Sequence, residues 1–214
     1  ALASIGEAAV NPLVENLDHG WHCIRGKKAE VLGMIGDPRA VEPLVRIVMR
    51  GLNDDPEVDH YWAIWALGEI GDTRAVETLI GWIERQLKEE TRDQRFRIVA
   101  AEALGKIGGR RAVPTLVHLL QTRFVDSVEA AARVLGEMRD PRAVDPLCAA
   151  LRGGYLGTTY TAIADALGKI GDQKAIPFLK KEVELFEERH SYTGEHRALA
   201  DAIIDIEVRH YSKE

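Results

Sequence analysis

Cysteine is nearly missing from this chain. Cys23 and Cys148 are the only two in 214 residues, too few and too far apart in sequence for a disulfide framework, so both read as reduced thiols. Long apolar runs are missing as well. No stretch approaches the roughly 20 residues a bilayer-spanning helix needs, and the opening ALASIGEAAV has neither the basic region nor the apolar segment of a secretion signal. A cytoplasmic setting is the expectation. Positive charge is outweighed, with 28 Lys and Arg against 34 Asp and Glu and a net charge of -6. That balance opposes the phosphate neutralisation that drives nucleic-acid binding. Neither nucleic acid nor membrane is therefore an expected partner.

Motifs that carry chemistry are scarce too. No glycine sits in a GxxxxGK[ST] phosphate loop, and no G-x-S-x-G elbow presents a nucleophile. The nearest approach to a metal set is DHGWHC, where Asp18, His19, His22 and Cys23 crowd together. Zinc takes three or four ligands, and no second Cys or His pair at a suitable spacing completes this set. A solvated turn between helices is the expected reading. Cys148, in DPLCAAL, alternates with core positions and reads as a small apolar group. No catalytic, metal or cofactor-binding residue is expected, and no cofactor.

What the chain has in abundance is repetition. LGMIGDPRAVEPL, LGEIGDTRAVETL, LGKIGGRRAVPTL, LGEMRDPRAVDPL and LGKIGDQKAIPFL begin at 32, 67, 104, 135 and 167, and a shorter LASIGEAAVNPL begins at Leu2; the successive starts differ by 30, 35, 37, 31 and 32 residues. Such an interval suits one helical hairpin per repeat. Each phrase reads as the junction of two helices. Ile24, Ala29, Leu32 and Ile35 recur at helical spacing and give the helix before the junction one buried face. Gly36 can close that helix in the left-handed conformation, Asp37 can cap the next one, and Pro38 fits its first turn, where a missing N–H costs nothing. Val41, Leu44, Val45 and Val48 then form a second buried stripe. A hairpin with two apolar faces cannot bury both alone, whereas stacked neighbours can. The expected fold class is all-α, a right-handed α-solenoid of stacked helical hairpins.

These units resemble HEAT repeats, specifically the short subtype of phycobilisome lyases, with the pattern D-x-x-V-R-x-x-A-A-x-A-L-G-x-I-G-D-x-x-A-V-x-x-L. The resemblance covers essentially residues 1–180. Arg25 and Arg97 match the pattern's arginine, and His60, Val128 and Tyr160 replace it. Deoxyhypusine hydroxylase is built of similar repeats and holds two irons with His-Glu dyads; no His-Glu dipeptide occurs here, which excludes that activity. HEAT-like DNA glycosylases are similar in architecture only, and the acidic balance counts against them. The expected organisation is one solenoid over 1–214. It comprises an incomplete first repeat at 1–18, beginning inside the end of an inner helix, about five hairpins over 21–190, and a capping helix at 194–211 with the apolar stripe Leu199, Ala202, Ile203 and Ile206.

The helix that ends in Leu-Gly is expected to line the concave surface, the usual binding surface of such folds. Residues there that avoid the core stripe are charged in most repeats, but around Tyr61, Trp65 and Ile98 they are not. Trp62 lies one position round and is expected to be half-covered. An exposed Tyr61–Trp65 pair rimmed by Glu30, Glu102 and Arg133 has the composition of a binding hot spot, an aromatic centre with a polar rim. His60 and Arg97 complete the candidate set for binding a protein partner. The long segments GLNDDPEVDH and RQLKEETRDQRF flank this helix, and insertions in repeat proteins often mark a binding edge. The expected role is a non-enzymatic scaffold or adaptor that binds another protein on the concave face. The alternative, implied by the likeness of HYWAIWALG to inner helices of E/F-type phycobilin lyases, is a lyase-like, bilin-handling subunit.

Overall fold

The computed structural model describes residues 2–51, 58–89, 94–188 and 194–211. Every regular element among them is helical. Two compact units divide the chain, Ala1–Ala112 and Val113–Glu214. The first holds α1 (Leu2–Glu15), α2 (His22–Ile35), α3 (Val41–Gly51), α4 (Val58–Ile70), α5 (Val76–Lys88) and α6 (Arg95–Ile107). The second holds α7 (Val113–Leu120), α8 (Val125–Met138), α9 (Val144–Leu151), α10 (Gly157–Ile170), α11 (Ile176–Glu188) and α12 (Gly194–Tyr211).

Within each unit the helices form two layers. In one layer the Leu-Gly helices, joined by α12, stack side by side: α2 on α4 and α4 on α6 in the first unit, α8 on α10 and α10 on α12 in the second. Each helix of the other layer packs against the first-layer helix that follows it: α3 on α4, α5 on α6, α7 on α8, α9 on α10 and α11 on α12.

The Leu-Gly layer is tight because of its glycines. A Cβ placed on Gly33, Gly68 or Gly136 would lie 2.8, 2.7 or 2.8 Å from the Cα of Ala66, Ala103 or Ala166, closer than real carbon atoms approach. Glycine facing alanine therefore sets the helix spacing, a reading that agrees with the recurrence of Leu-Gly in the sequence. The leucines beside them, Leu32, Leu67, Leu104, Leu135 and Leu167, are fully buried, each contributing about 2 kcal/mol of hydrophobic stabilisation.

The junctions follow the capping logic with one addition. Gly36, Gly71 and Gly171 hold φ of 75°, 73° and 72°. Asp37, Asp72 and Asp172 accept from the backbone N–H of Arg39, Arg74 and Lys174 at 2.8, 2.9 and 3.0 Å. What they cap is a three-residue 3-10 turn, not the α-helix directly. Two junctions depart from this. At the α8–α9 junction Arg139 takes the left-handed conformation, φ 50°, in place of glycine. At the α6–α7 junction Gly108 and Gly109 replace Gly-Asp, and α7 starts at Val113 without a 3-10 turn.

Three expectations need correcting. LASIGEAAVNPL is not a junction, because α1 runs unbroken from Leu2 through Gly6 and Pro12 to Glu15. It lacks an aspartate after the glycine, and Ala8-Ala9 favour continuing the helix. Ile24 is not core; it sits in the first turn of α2 and is 46% exposed. On α12, Leu199, Ala202 and Ile206 are buried as expected, but Ile204, Val208 and Tyr211 also put apolar surface on the outward side.

Candidate protein-binding surface

The surface of the first unit's Leu-Gly layer is centred on α4. This helix carries apolar residues all round, since Ala63, Ile64, Ala66 and Leu67 fill the core while Tyr61, Trp62 and Trp65 remain half-buried. The three rings form a chain of edge-on contacts, Tyr61 to Trp62 at 5.4 Å and Trp62 to Trp65 at 5.7 Å between centroids. Edge-on aromatic pairs are worth about 1 kcal/mol beyond the area they bury, so the rings are held in place before any ligand arrives. Trp65 also reaches over α2, where a Cβ on Gly33 would come within 2.9 Å of its ring. The openly exposed pair expected from the sequence is therefore corrected to a half-covered cluster, closed partly by Trp62 and partly by α2.

Around this cluster Ile98 on α6 is half-buried and Glu102 is exposed. Met34 on α2 is 73% exposed. Glu30 on α2 pairs with Lys27 at 2.6 Å. Two members of the expected set are not on this surface. His60 is buried and stacks on Trp82 of α5, with centroids 5.6 Å apart and planes 26° apart; Trp82 in turn meets Phe96 of α6 at 6.0 Å. Arg97 is fully buried and points its guanidinium at the end of α5, where Nη1 donates to the Gln86 carbonyl at 3.4 Å. Both occupy the position of the repeat arginine, which ties a Leu-Gly helix to its second-layer neighbour, and burial removes them from partner contact. Arg133 lies in the second unit, ion-paired with Glu129 on α8.

The second unit offers a different surface at the same place in its repeats. A groove of about 210 Å³ is lined by Arg133, Thr158, Thr161, Asp165 and Lys169. Burial pushes the Asp165 carboxyl above its ordinary range, helped by the charges of Asp201 and Asp205. Lys169 pairs with Glu137 of the neighbouring helix and holds that carboxyl below its usual range. The first unit has the same cross-helix bond, Lys106 to Glu69. Sequence reading missed these bonds, although the signal was there: the residue after Leu-Gly alternates Glu69, Lys106, Glu137, Lys169.

Asp18 is held by Arg50 through two hydrogen bonds of 2.8 and 2.9 Å, and among the described residues no three His, Cys, Asp or Glu side chains converge on a metal-sized space. The half-buried Cys148 thiol is pushed up to about 11, chiefly by burial, which leaves it protonated and unreactive at neutral pH. Among the described residues no helix is long and apolar enough to cross a membrane.

Comparison with known proteins bears on the fold. A family model described as HEAT repeats matches residues 48–132, 85–156 and 129–184, and one described as PBS lyase HEAT-like repeat matches residues 25–48. A comparison with curated proteins gives no match. Among solved structures, the chain is similar to one in the complex of CpcE and CpcF of phycocyanin lyase from Nostoc sp. PCC7120, with 22% identity over 94% of this chain and 83% of that one and a TM-score of 0.55. It is also similar to an engineered protein, with 20% identity over 94% and 97% of the two chains and a TM-score of 0.58. Human deoxyhypusine hydroxylase in complex with glycerol is a weaker match, 20% identical over 94% and 84%, with a TM-score of 0.48.

Proposed function

We propose, from the premise that the chain belongs to the HEAT-repeat family, that it is a non-enzymatic scaffold which binds a protein partner on the exposed side of the first unit's Leu-Gly helices. The observation that carries this reading is the Tyr61–Trp62–Trp65 cluster: three linked rings, half-open to solvent, with Met34 and Ile98 beside them and Glu30 and Glu102 at the rim. Aromatic side chains fixed in this way dominate binding energetics, because little side-chain freedom is lost when a partner covers them. The phycocyanin lyase structure is itself a complex of two proteins, CpcE and CpcF, which supports a protein as the class of partner.

Affinity capture with the wild-type chain and with a Tyr61→Ser, Trp65→Ser double variant tests the reading. A partner enriched by the wild type and lost by the double variant is expected. If every captured protein is retained by the double variant, the surface is wrongly assigned. A bilin-handling role makes a separate demand: a linear tetrapyrrole mixed with the protein would change its absorbance spectrum, and Trp65→Ala would abolish the change. The scaffold reading expects an unchanged spectrum.

A further inference from the structure

On α6 of the first unit the position of the repeat arginine is filled by Arg97, which runs to the end of a 13-residue helix, α5. The second unit departs from this twice over. Tyr160 replaces the arginine on α10, and the helix it should reach, α9, has only 8 residues and ends at Leu151, before Arg152-Gly153-Gly154. A shorter helix and a shorter side chain leave space unfilled. The result is a hollow of about 490 Å³ where the end of α9, the start of α10 and α11 meet, within the usual size range of small-molecule sites.

Its walls are fixed. The Tyr155 hydroxyl donates to the Thr122 carbonyl at 3.0 Å, and a Cβ on Gly153 would lie 2.8 Å from the Tyr155 ring, so only glycine lets that ring fold back. Tyr160 and Phe186 meet edge-on at 5.7 Å. Leu156, 77% exposed, and the half-buried Leu185 complete the apolar lining.

The polar groups are unbalanced in one direction. Arg152 stacks over Phe178 at 4.6 Å and stands 3.7 Å from Glu182, so those two charges offset each other. Lys181 also lines the hollow, and among the described residues it has no ion pair. Tyr160 is 4% exposed, and its hydroxyl has no hydrogen-bond partner. Burial pushes its ionisation far above the usual tyrosine range, with Glu182 and Glu195 adding to the effect, so at neutral pH the phenol is a donor in need of an acceptor.

We propose that this hollow binds a small amphiphilic carboxylate, its apolar tail among Tyr155, Leu156, Leu185 and Phe186 and its carboxylate paired with Lys181 and accepting from the Tyr160 hydroxyl. A preformed apolar wall with few polar groups is how such sites are generally built, and an anionic head satisfies the two groups the fold leaves unmatched. This site is distinct in place and chemistry from the aromatic surface of the first unit and does not depend on it.

Octanoate and 1-octanol, titrated calorimetrically into the full chain, separate charge from tail. Wild type should bind octanoate saturably, one per chain, and more tightly than octanol. Lys181→Gln, an exposed change that leaves the fold intact, should weaken octanoate about tenfold with octanol unaltered. Tyr160→Phe should weaken octanoate about threefold. Absence of saturable octanoate binding by the wild type, or full octanoate affinity in both variants, overturns the proposal.

Discussion

α4 and α10 are the Leu-Gly helices in the middle of their units' layers, and both bury the same positions: Ala63, Ile64, Ala66 and Leu67 in one, Ile163, Ala164, Ala166 and Leu167 in the other. Their free sides have nothing in common. α4 shows Tyr61, Trp62 and Trp65, whereas α10 shows Thr158, Thr161, Asp165 and Lys169 around a polar groove. The repeat thus specifies the packed side and leaves the other side open to selection for something else. The aromatic residues there are not part of the repeated frame, which is why the proposed binding surface is placed on them.

The same contrast appears at the repeat arginine, and variants there should give the largest effects. Arg97→Ala strips a buried charged side chain from the α5–α6 contact and should cost about 3 kcal/mol in urea unfolding. Tyr160→Phe removes a hydroxyl with no partner and should stay within about 0.5 kcal/mol of wild type. Equal losses would refute the view that only the first unit uses this position as a tie.

Next in size come the close helix contacts. Gly68→Ala drives a methyl into Ala103 and should cost about 2 kcal/mol despite alanine's better helix propensity. Gly168→Ala should cost visibly less, because its Cβ would lie 3.1 Å from the Ala202 Cα against 2.7 Å for Gly68 and Ala103. Thermal midpoints of the two variants, compared side by side, decide the ranking.

At the junctions, Asp72→Ala should cost about 1 kcal/mol at neutral pH, the usual value of a capping side chain. The Arg74 side chain and then its backbone N–H hold the Asp72 carboxyl below its usual range. A carboxylate depressed on folding stabilises at pH values above its unfolded pKa of about 4 and loses that contribution as pH falls through the lower folded value. The gap between wild type and Asp72→Ala should therefore close in acid; a gap that widens in acid contradicts the assigned cap. Arg139→Gly should do the reverse of the other variants and raise stability by about 1 kcal/mol, because Arg139 stands where four other junctions place glycine at positive φ.

The layers, the junction glycines and the capping aspartates were legible in the sequence, because five near-copies display which positions a hairpin cannot vary. The 3-10 turns were not, since Asp-x-x-Ala at a helix start reads the same whether the first turn is tight or regular. α1 was misread because LASIG looks like a junction when aligned with its siblings, although the aspartate that would enforce the break is missing. The candidate surface was only partly legible. Periodicity placed Tyr61, Trp65 and Ile98 on one side, but it gave no warning that Trp65 lies over Gly33 or that His60 and Arg97 turn inward. Those outcomes depend on what a neighbouring helix offers, His60 finding Trp82 and Arg97 finding the end of α5. The hollow beside Tyr160 was beyond reach for the same reason, being set by the shortness of α9 as much as by any residue lining it.

Site-specific photo-crosslinking tests the central claim most directly. A benzophenone amino acid placed at Ile98, beside the aromatic cluster, and in a second protein at Thr161, on the polar groove, would be irradiated in extracts of the source organism. The account predicts a discrete crosslinked partner from position 98 that disappears when Tyr61→Ser and Trp65→Ser are added, and none from position 161. The same partner crosslinking from Thr161 and indifferent to the loss of both rings would contradict it.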